Sequence, residues 1–480
     1  MVQAGSRARV AMVLPNSMVI RNTLETTVLA QLAGRGDLEI AVLTPYPANA
    51  EAVAKLGSPL VSWADLGRPT PDPGLAYGGP VAAAARLAQR LTARLLRPWV
   101  GFPQLVYRFN RLRGFAGHRQ KEALPPEDRA REAQAGNFAD PALGRPLPDS
   151  RALFNLLYRL HYARWYGEPM VEAFCDRFRP DLIVLHHLQN EMVRPWANAA
   201  RRRGIPVLGV VGSWDQPTTK GPLVAGVDRF LVQSRRMREE LALYHGVPEE
   251  RVEVTGWPQM DVYRQSGVIA HRAELTAELG LPVDRRFILL GANSARLGAH
   301  EPSIAAFLAE RLAAGDFGAD CSLVIRPHPK DGAWGQRFGH LHAPPLVVVL
   351  PADLGRLHFL ASLLSHAALL VASSGSICLD AMALDTCAVN LAFDGDLSVP
   401  HARKASRWLE LDHYAPVVAS GGLRLAEGFP ELAQAVRAYL DDPSLDAEGR
   451  VRCRAEQLEP LDGQSSRRVA QAIARMAGLS

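Results

Sequence analysis

One feature constrains this chain more than any other: short apolar runs of strand length alternate with amphipathic stretches of helical length, twice over along 480 residues. Runs at 9–15 (RVAMVLP), 38–45 (LEIAVLTP), 181–187 (DLIVLHH), 206–214 (PVLGVVGSW), 229–234 (RFLVQS) and 252–256 (VEVTG) make a first series. A second follows Pro258, at 287–293 (FILLGAN), 322–329 (SLVIRPHP), 347–351 (VVVLP), 367–376 (AALLVASSGS) and 387–393 (CAVNLAF), with a helical stretch near 301–313. Strands alternating with helices predict βαβ units and a mainly parallel sheet. Two α/β lobes joined near residues 258–270 fit this pattern better than one long sheet. The expected division is a first lobe over 1–260, a second lobe over 261–463, and a helix near 464–480 crossing back. Residues from about 67 to 150 break the rhythm and read as an insertion.

Composition narrows the class. The apolar and charged fractions, 48% and 21%, belong to a globular protein rather than a disordered one. No run of about eighteen apolar residues predicts a spanning helix, and the first apolar run is short and turns at once, as a strand does rather than a signal peptide. Five scattered cysteines without a CxxC pair suggest neither a disulfide framework nor a zinc site, and a reducing cytoplasm suits them. The net charge of +5 is modest, but from residue 73 to 121 there is no acid, while Arg86, Arg90, Arg94, Arg97, Arg108, Arg111, Arg113, Arg119 and Lys121 all fall there. Such a block expects an anionic partner. Arg86, Arg90 and Arg94 recur at helical spacing beside Leu87, Leu91 and Leu95, with Trp99, Phe102, Tyr107 and Phe109 following, so a membrane interface is the first expectation. A solvated arginine face packed on the protein is the alternative, and without a recognition module nucleic acid is not expected.

In open parallel sheets, ligands collect beyond the carboxyl ends of the strands, and polar clusters sit at such ends here. In the second lobe these are Gly291, Asn293 and Ser294; Arg326, His328, Pro329 and Lys330; and Ser373, Ser374, Gly375 and Ser376. Small hydroxyl residues and a glycine opening a helix form a phosphate cradle, although serine there also serves plain N-capping. In the first lobe, His186 and His187 end one run and either can act as a general base. Asp215 and Lys220 lie in the polar loop Ser213–Gly221. Glu25 follows the first turn, Pro15–Asn16–Ser17, as another candidate base. A structural role is open to each of them. No DxD-like motif or His/Cys cluster predicts a bound metal.

The RPHP and SSGS segments, with Asp380 on the ensuing helix, resemble the donor half of GT-B glycosyltransferases. The His-Pro and Ser-Ser pair resembles bacterial sialyltransferases, capsule Kdo transferases and CDP-glycerol glycerophosphotransferases. Val254–Asp261 is similar to the TGxPxxD segment of nucleotide-sugar enzymes, including the non-hydrolysing UDP-GlcNAc 2-epimerases, and Asp462–Arg468 to the DGxxSxR tail of CDP-glycerol-type transferases. The likeness covers roughly residues 180–470. It implies two Rossmann-like lobes facing each other across a cleft, with His328 and Pro329 beside a cytidine nucleotide, Ser373, Ser374 and Ser376 on its phosphates, and Asp380 on its ribose. The chain departs from the pattern at Asp385, where glycine is usual. The implied activity is metal-independent transfer from a nucleotide-activated donor, CMP- or CDP-linked, to a surface glycan or lipid-linked acceptor, with no further cofactor. The enzyme would be cytoplasmic and peripheral on the inner face of the membrane. A UDP-sugar 2-epimerase and a non-catalytic, membrane-docked scaffold of a glycan assembly complex are the rival readings.

Overall fold

A computed structural model describes residues 7–45, 58–66, 102–127 and 168–479, apart from 266, 354–355 and 400–403, with a few isolated positions between 80 and 158. The chain divides into two compact units: Met1–Pro258 with Gln464–Ser480, and Gln259–Gly463.

The first unit is built on a seven-stranded parallel sheet: β1 (Ala8–Val13), β2 (Leu38–Thr44), β3 (Val61–Asp65), β4 (Leu182–His186), β5 (Val207–Val210), β6 (Arg229–Val232) and β7 (Val252–Val254). Their order is β3-β2-β1-β4-β5-β6-β7. Val10 pairs with Ile40 on one side and Leu182 on the other. The runs at 9–15 and 181–187 thus form the two central strands, and every residue of β4 is buried. They lack apolar–polar alternation because helices cover both faces of a parallel sheet. The run at 206–214 is a strand only over Val207–Val210; beyond it the chain turns into the short helix Gln216–Thr219.

The second unit repeats the design with six parallel strands: β8 (Arg286–Gly291), β9 (Cys321–Arg326), β10 (Val347–Val349), β11 (Leu369–Ala372), β12 (Ala388–Leu391) and β13 (Arg424–Ala426), in the order β10-β9-β8-β11-β12-β13. The helix Glu301–Ala313 lays Ile304, Leu308 and Leu312 into its core. In both units the strand order reverses beside the first strand, at β1/β4 and at β8/β11. Loops on either side of such a reversal diverge, which leaves a crevice at the carboxyl ends of the strands.

The last helix, Ser465–Met476, belongs to the first unit. Its Val469, Ala472 and Ile473 join the core formed by Val28, Leu29 and Leu32 of the helix α2 (Val28–Ala33) with β1 and β2. Arg468 Nη1 donates to the Thr255 carbonyl at 3.2 Å, and Arg475 pairs with Glu253 at 2.8 Å.

Two helices of the insertion are described, Phe102–Arg113 and Ala116–Glu122. They correct the membrane-facing reading of two of its aromatics. Tyr107 and Phe109 are buried, Phe109 lying against Phe115, Phe154 and His245, because the helix presents them to the protein's own core. Glu122 pairs with Arg111 at 3.8 Å, accepts from the Tyr107 hydroxyl at 3.0 Å and lies 3.3 Å from His118 Nε2. Arg86, Arg90 and Arg94 lie outside the described residues, as does Trp99. Among the described residues no helix is long and apolar enough to cross a membrane.

If the terminal helix completes the first unit's core, Ile473→Ala should lower the unfolding free energy by about 2–5 kcal/mol. Urea titration of the full chain measures this, and a change within error would place the helix outside that core.

Candidate functional site

In the second unit the three polar strand ends come together through residues that the motifs do not contain. Glu301, at the start of its helix and fully buried, accepts from the Asn293 N–H through both carboxylate oxygens, at 3.0 and 2.8 Å. The Ser373 hydroxyl donates to Glu301 Oε1 at 3.1 Å, and Arg337 pairs with Oε2 at 3.1 Å. Arg337 also pairs with buried Asp331 and donates to the Asn293 carbonyl at 2.8 Å. One guanidinium therefore joins the loops after β8 and β9, and Glu301 ties both to the loop after β11. Burial pushes the Glu301 carboxyl up to about 7, against the opposing pull of the Asn293 N–H, Arg337 and Ser373.

Around this buried knot the expected residues divide. Ser373 is 3% exposed and bonded to Glu301, with His300 Nε2 at 3.1 Å, so its hydroxyl is spent within the protein rather than offered to a phosphate. Gly291 answers a packing need: a Cβ there would come within 2.7 Å of Ile377 on the helix Ser376–Ala383. That corrects the view that its small size serves a ligand. Asn293 and Ser294 are half-buried in the turn that follows β8, where the Ser294 carbonyl accepts from Leu297 and Gly298. Ser374, Gly375 and Ser376 open the helix Ser376–Ala383 without a side-chain cap, and neither serine hydroxyl has a hydrogen-bond partner among the described residues. Here the plain N-capping alternative fails. Arg326 ends β9, Pro327 is buried, His328 and Pro329 are half-buried, and Lys330 is exposed. The Lys330 N–H donates to His328 Nδ1 at 3.1 Å, so a neutral ring carries its proton on Nε2. Asp380 accepts from the buried Tyr263 hydroxyl at 2.8 Å. Asp385, at the position where the family pattern has glycine, has φ 61° and holds Arg450 and Arg454, so the left-handed backbone is kept without glycine.

The first unit assembles a second cluster at its own β1/β4 reversal. Asn16 ends the turn after β1 and caps α1 (Ser17–Leu24), its Oδ1 accepting the Val19 N–H at 3.0 Å. Its Nδ2 lies 2.9 Å from His187 Nδ1, and Gln216 Nε2 lies 3.2 Å from the same atom. His187 sits just past β4 at φ 55°, a left-handed conformation that a non-glycine residue adopts only where surrounding contacts impose it. Asp215 accepts from Ser213 and Thr219 and pairs with Lys220 at 2.9 Å. Burial and Lys220 lower the His187 pKa, while Asp215 works the other way. The side-chain oxygens of Gln189, Gln216 and Gln233, which follow β4, β5 and β6, are buried without a partner among the described residues. Such acceptors favour a ligand that brings hydroxyl donors.

His186 and Glu25 fall away from this cluster. His186 is the last residue of β4 and faces the interior, where burial drives its pKa down to about 3, too weak a base for neutral pH. Glu25 is exposed at the far end of α1, about 13 Å along the helix from Asn16.

No protein-family model matches this chain, and no curated protein sequence matches it. Solved structures do. The S. aureus MnaA co-structure with UDP is similar with a TM-score of 0.55 at 12% identity, over 98% of both chains. A UDP-GlcNAc 2-epimerase from Neisseria meningitidis bound to UDP-GlcNAc gives 0.52 at 11%, over 97% of this chain and 100% of that one. A glycosyltransferase from Rickettsia africae ESF-5 gives 0.50 at 8%, over 99% and 100%. The class is thereby set at the level of fold: an α/β protein of two Rossmann-like units, of the GT-B kind that nucleotide-sugar epimerases and glycosyltransferases share.

Replacing Arg337 by Met should destabilise the chain by about 3–5 kcal/mol, because two buried carboxyls lose their counter-charge. The loss should shrink in mildly acidic buffer, where the Glu301 carboxyl, already pushed up to about 7 by burial, takes a proton. Equal losses in acidic and alkaline urea titrations would show that the guanidinium packs rather than pairs.

Proposed function

We propose that this chain is a glycosyltransferase that moves a sugar or sugar-like group from a nucleotide-activated donor to a surface glycan or lipid-linked acceptor, without a bound metal. The observation that carries the reading is the uncapped helix start Ser374–Ser376, tied through Glu301 and Arg337 to the RPHP turn. Two serine hydroxyls without a hydrogen-bond partner among the described residues, at the start of a helix, suit a diphosphate, whose charge the helix dipole favours. Lys330 and Arg326 supply cations for the leaving phosphate, and the Asn16–His187–Asp215 cluster of the first unit is the acceptor side. Lipid-linked acceptors agree with an enzyme that docks on the inner face of the membrane through Arg86, Arg90 and Arg94.

The epimerase reading keeps one specific support: several similar folds are UDP-GlcNAc 2-epimerases, one of them bound to UDP-GlcNAc. An epimerase would convert its nucleotide sugar with no acceptor present, whereas the transferase releases nucleotide only when an acceptor is supplied.

His328→Ala combined with Ser374→Ala should weaken nucleotide binding about 10- to 100-fold, the worth of one or two hydrogen bonds to a charged group. Thermal shift with CMP, CDP and UDP measures it, and unchanged stabilisation in the double variant removes the site. In the same screen the cytidine nucleotides should stabilise the wild type more than UDP; a larger UDP shift discards the cytidine donor but keeps the transferase. Charge reversal at Arg86, Arg90 and Arg94 should abolish co-sedimentation with anionic liposomes, and added salt should weaken binding of the wild type. Salt-insensitive binding, or none, would mean that these arginines pack on the protein.

A further inference from the structure

The Nδ1 atom of His187 faces two carboxamide nitrogens, Asn16 Nδ2 at 2.9 Å and Gln216 Nε2 at 3.2 Å. The orientation of Asn16 is not free to reverse, because its Oδ1 is held by the Val19 N–H as the cap of α1. The atom it turns toward the imidazole is therefore its NH2, which only donates. A ring nitrogen that accepts a hydrogen bond bears no proton, so the proton of the neutral ring is on Nε2. An imidazolium would set an Nδ1–H against the Asn16 N–H, and the arrangement opposes it.

We propose that Asn16 is a positioning residue that locks His187 in its neutral Nε2–H form, so that His187 gives the group bound at the first unit a hydrogen-bond donor rather than a general base. This deepens the proposed function and, for the identity of that group, rests on it. It also revises the sequence expectation, in which a histidine here takes the acceptor proton. A donor aimed at an oxygen where negative charge develops stabilises that charge without a proton leaving the ring.

The charged groups facing the ring are Asp215 and Lys220, paired with each other at 2.9 Å. Lys220 and burial disfavour the imidazolium, Asp215 favours it, and the net direction is downward from the ordinary histidine value. Lowering the pH should therefore leave His187 neutral where an unperturbed histidine has already taken a proton.

The test reads the ring directly, without substrate. In the full chain labelled with 15N-histidine, the His187 resonances, assigned by their loss in His187→Gln, should show the Nε2–H pattern and hold it below the ordinary titration range. Asn16→Asp keeps the cap on Val19 but sets a carboxylate oxygen against Nδ1. It should convert the ring to an Nδ1–H or imidazolium form and raise its pKa by about one unit or more. Asn16→Ser, which also keeps the cap, should lose the lock if the aspartate variant does not fold. An Nδ1–H pattern in the wild type, ordinary titration, or a pattern unchanged in both Asn16 variants overturns the lock. In transfer assays His187→Gln, which retains an N–H donor, should be at least about tenfold more active than His187→Phe. Equal loss in the two overturns the donor role. A chain that shows the locked tautomer but transfers nothing keeps the lock and refutes the transferase reading instead.

Discussion

The constraint on which the rest of this structure depends is the burial of two parallel sheets on both faces. A central strand such as β4, with no residue exposed, leaves its functional chemistry only one place to appear: past its carboxyl end, where the chain leaves the sheet. The strand order then decides which ends meet. In each unit the reversal beside the first strand brings together loops that are far apart in sequence: Asn16 with His187 and Gln216, and Asn293 with Asp331 and Ser373.

The two clusters handle polar burial differently. In the second unit two carboxyl groups and a guanidinium are buried together, and they persist because each carboxyl meets Arg337 or a donor at hydrogen-bonding distance. Breaking one partner of such a set costs more than the intact pair contributes, since the residual charge remains buried. Its effect is to fix three loops around the uncapped start of the helix Ser376–Ala383. The first unit instead relies on neutral amides. Carboxamides orient a ring through directional hydrogen bonds without adding charge, and they leave oxygens unpaired that a hydroxyl-bearing ligand would satisfy.

The α/β class, the two series of strands and the motif-bearing strand ends were legible from residues alone, because apolar runs bounded by turns report burial directly. The edge strands β3 and β13 were not: VSWAD and RLA are short and half exposed, and pairing with one neighbour rather than their own hydrophobicity makes them strands. The candidate site was legible only in its motifs. Ser374, Ser376 and His328 stand in recognisable motifs. Glu301 and Arg337, an acid and a base 36 residues apart, look like surface residues in the sequence. The burial that makes them a knot arises only when the helix Glu301–Ala313 packs beside the turn after β9.

The sequence by itself determined that this chain forms two parallel-sheet units with polar residues at their strand ends, since strand-length periodicity and small residues at turns are local properties. Only the tertiary structure decided what those polar residues do. It turned Ser373 and Gly291 inward, to Glu301 and Ile377, and sank His186 into the core while holding its neighbour His187 beside Asn16. The reason is that a side chain's chemistry depends on which neighbours desolvate it and which atoms face it, and those neighbours are supplied by strand order rather than by sequence distance.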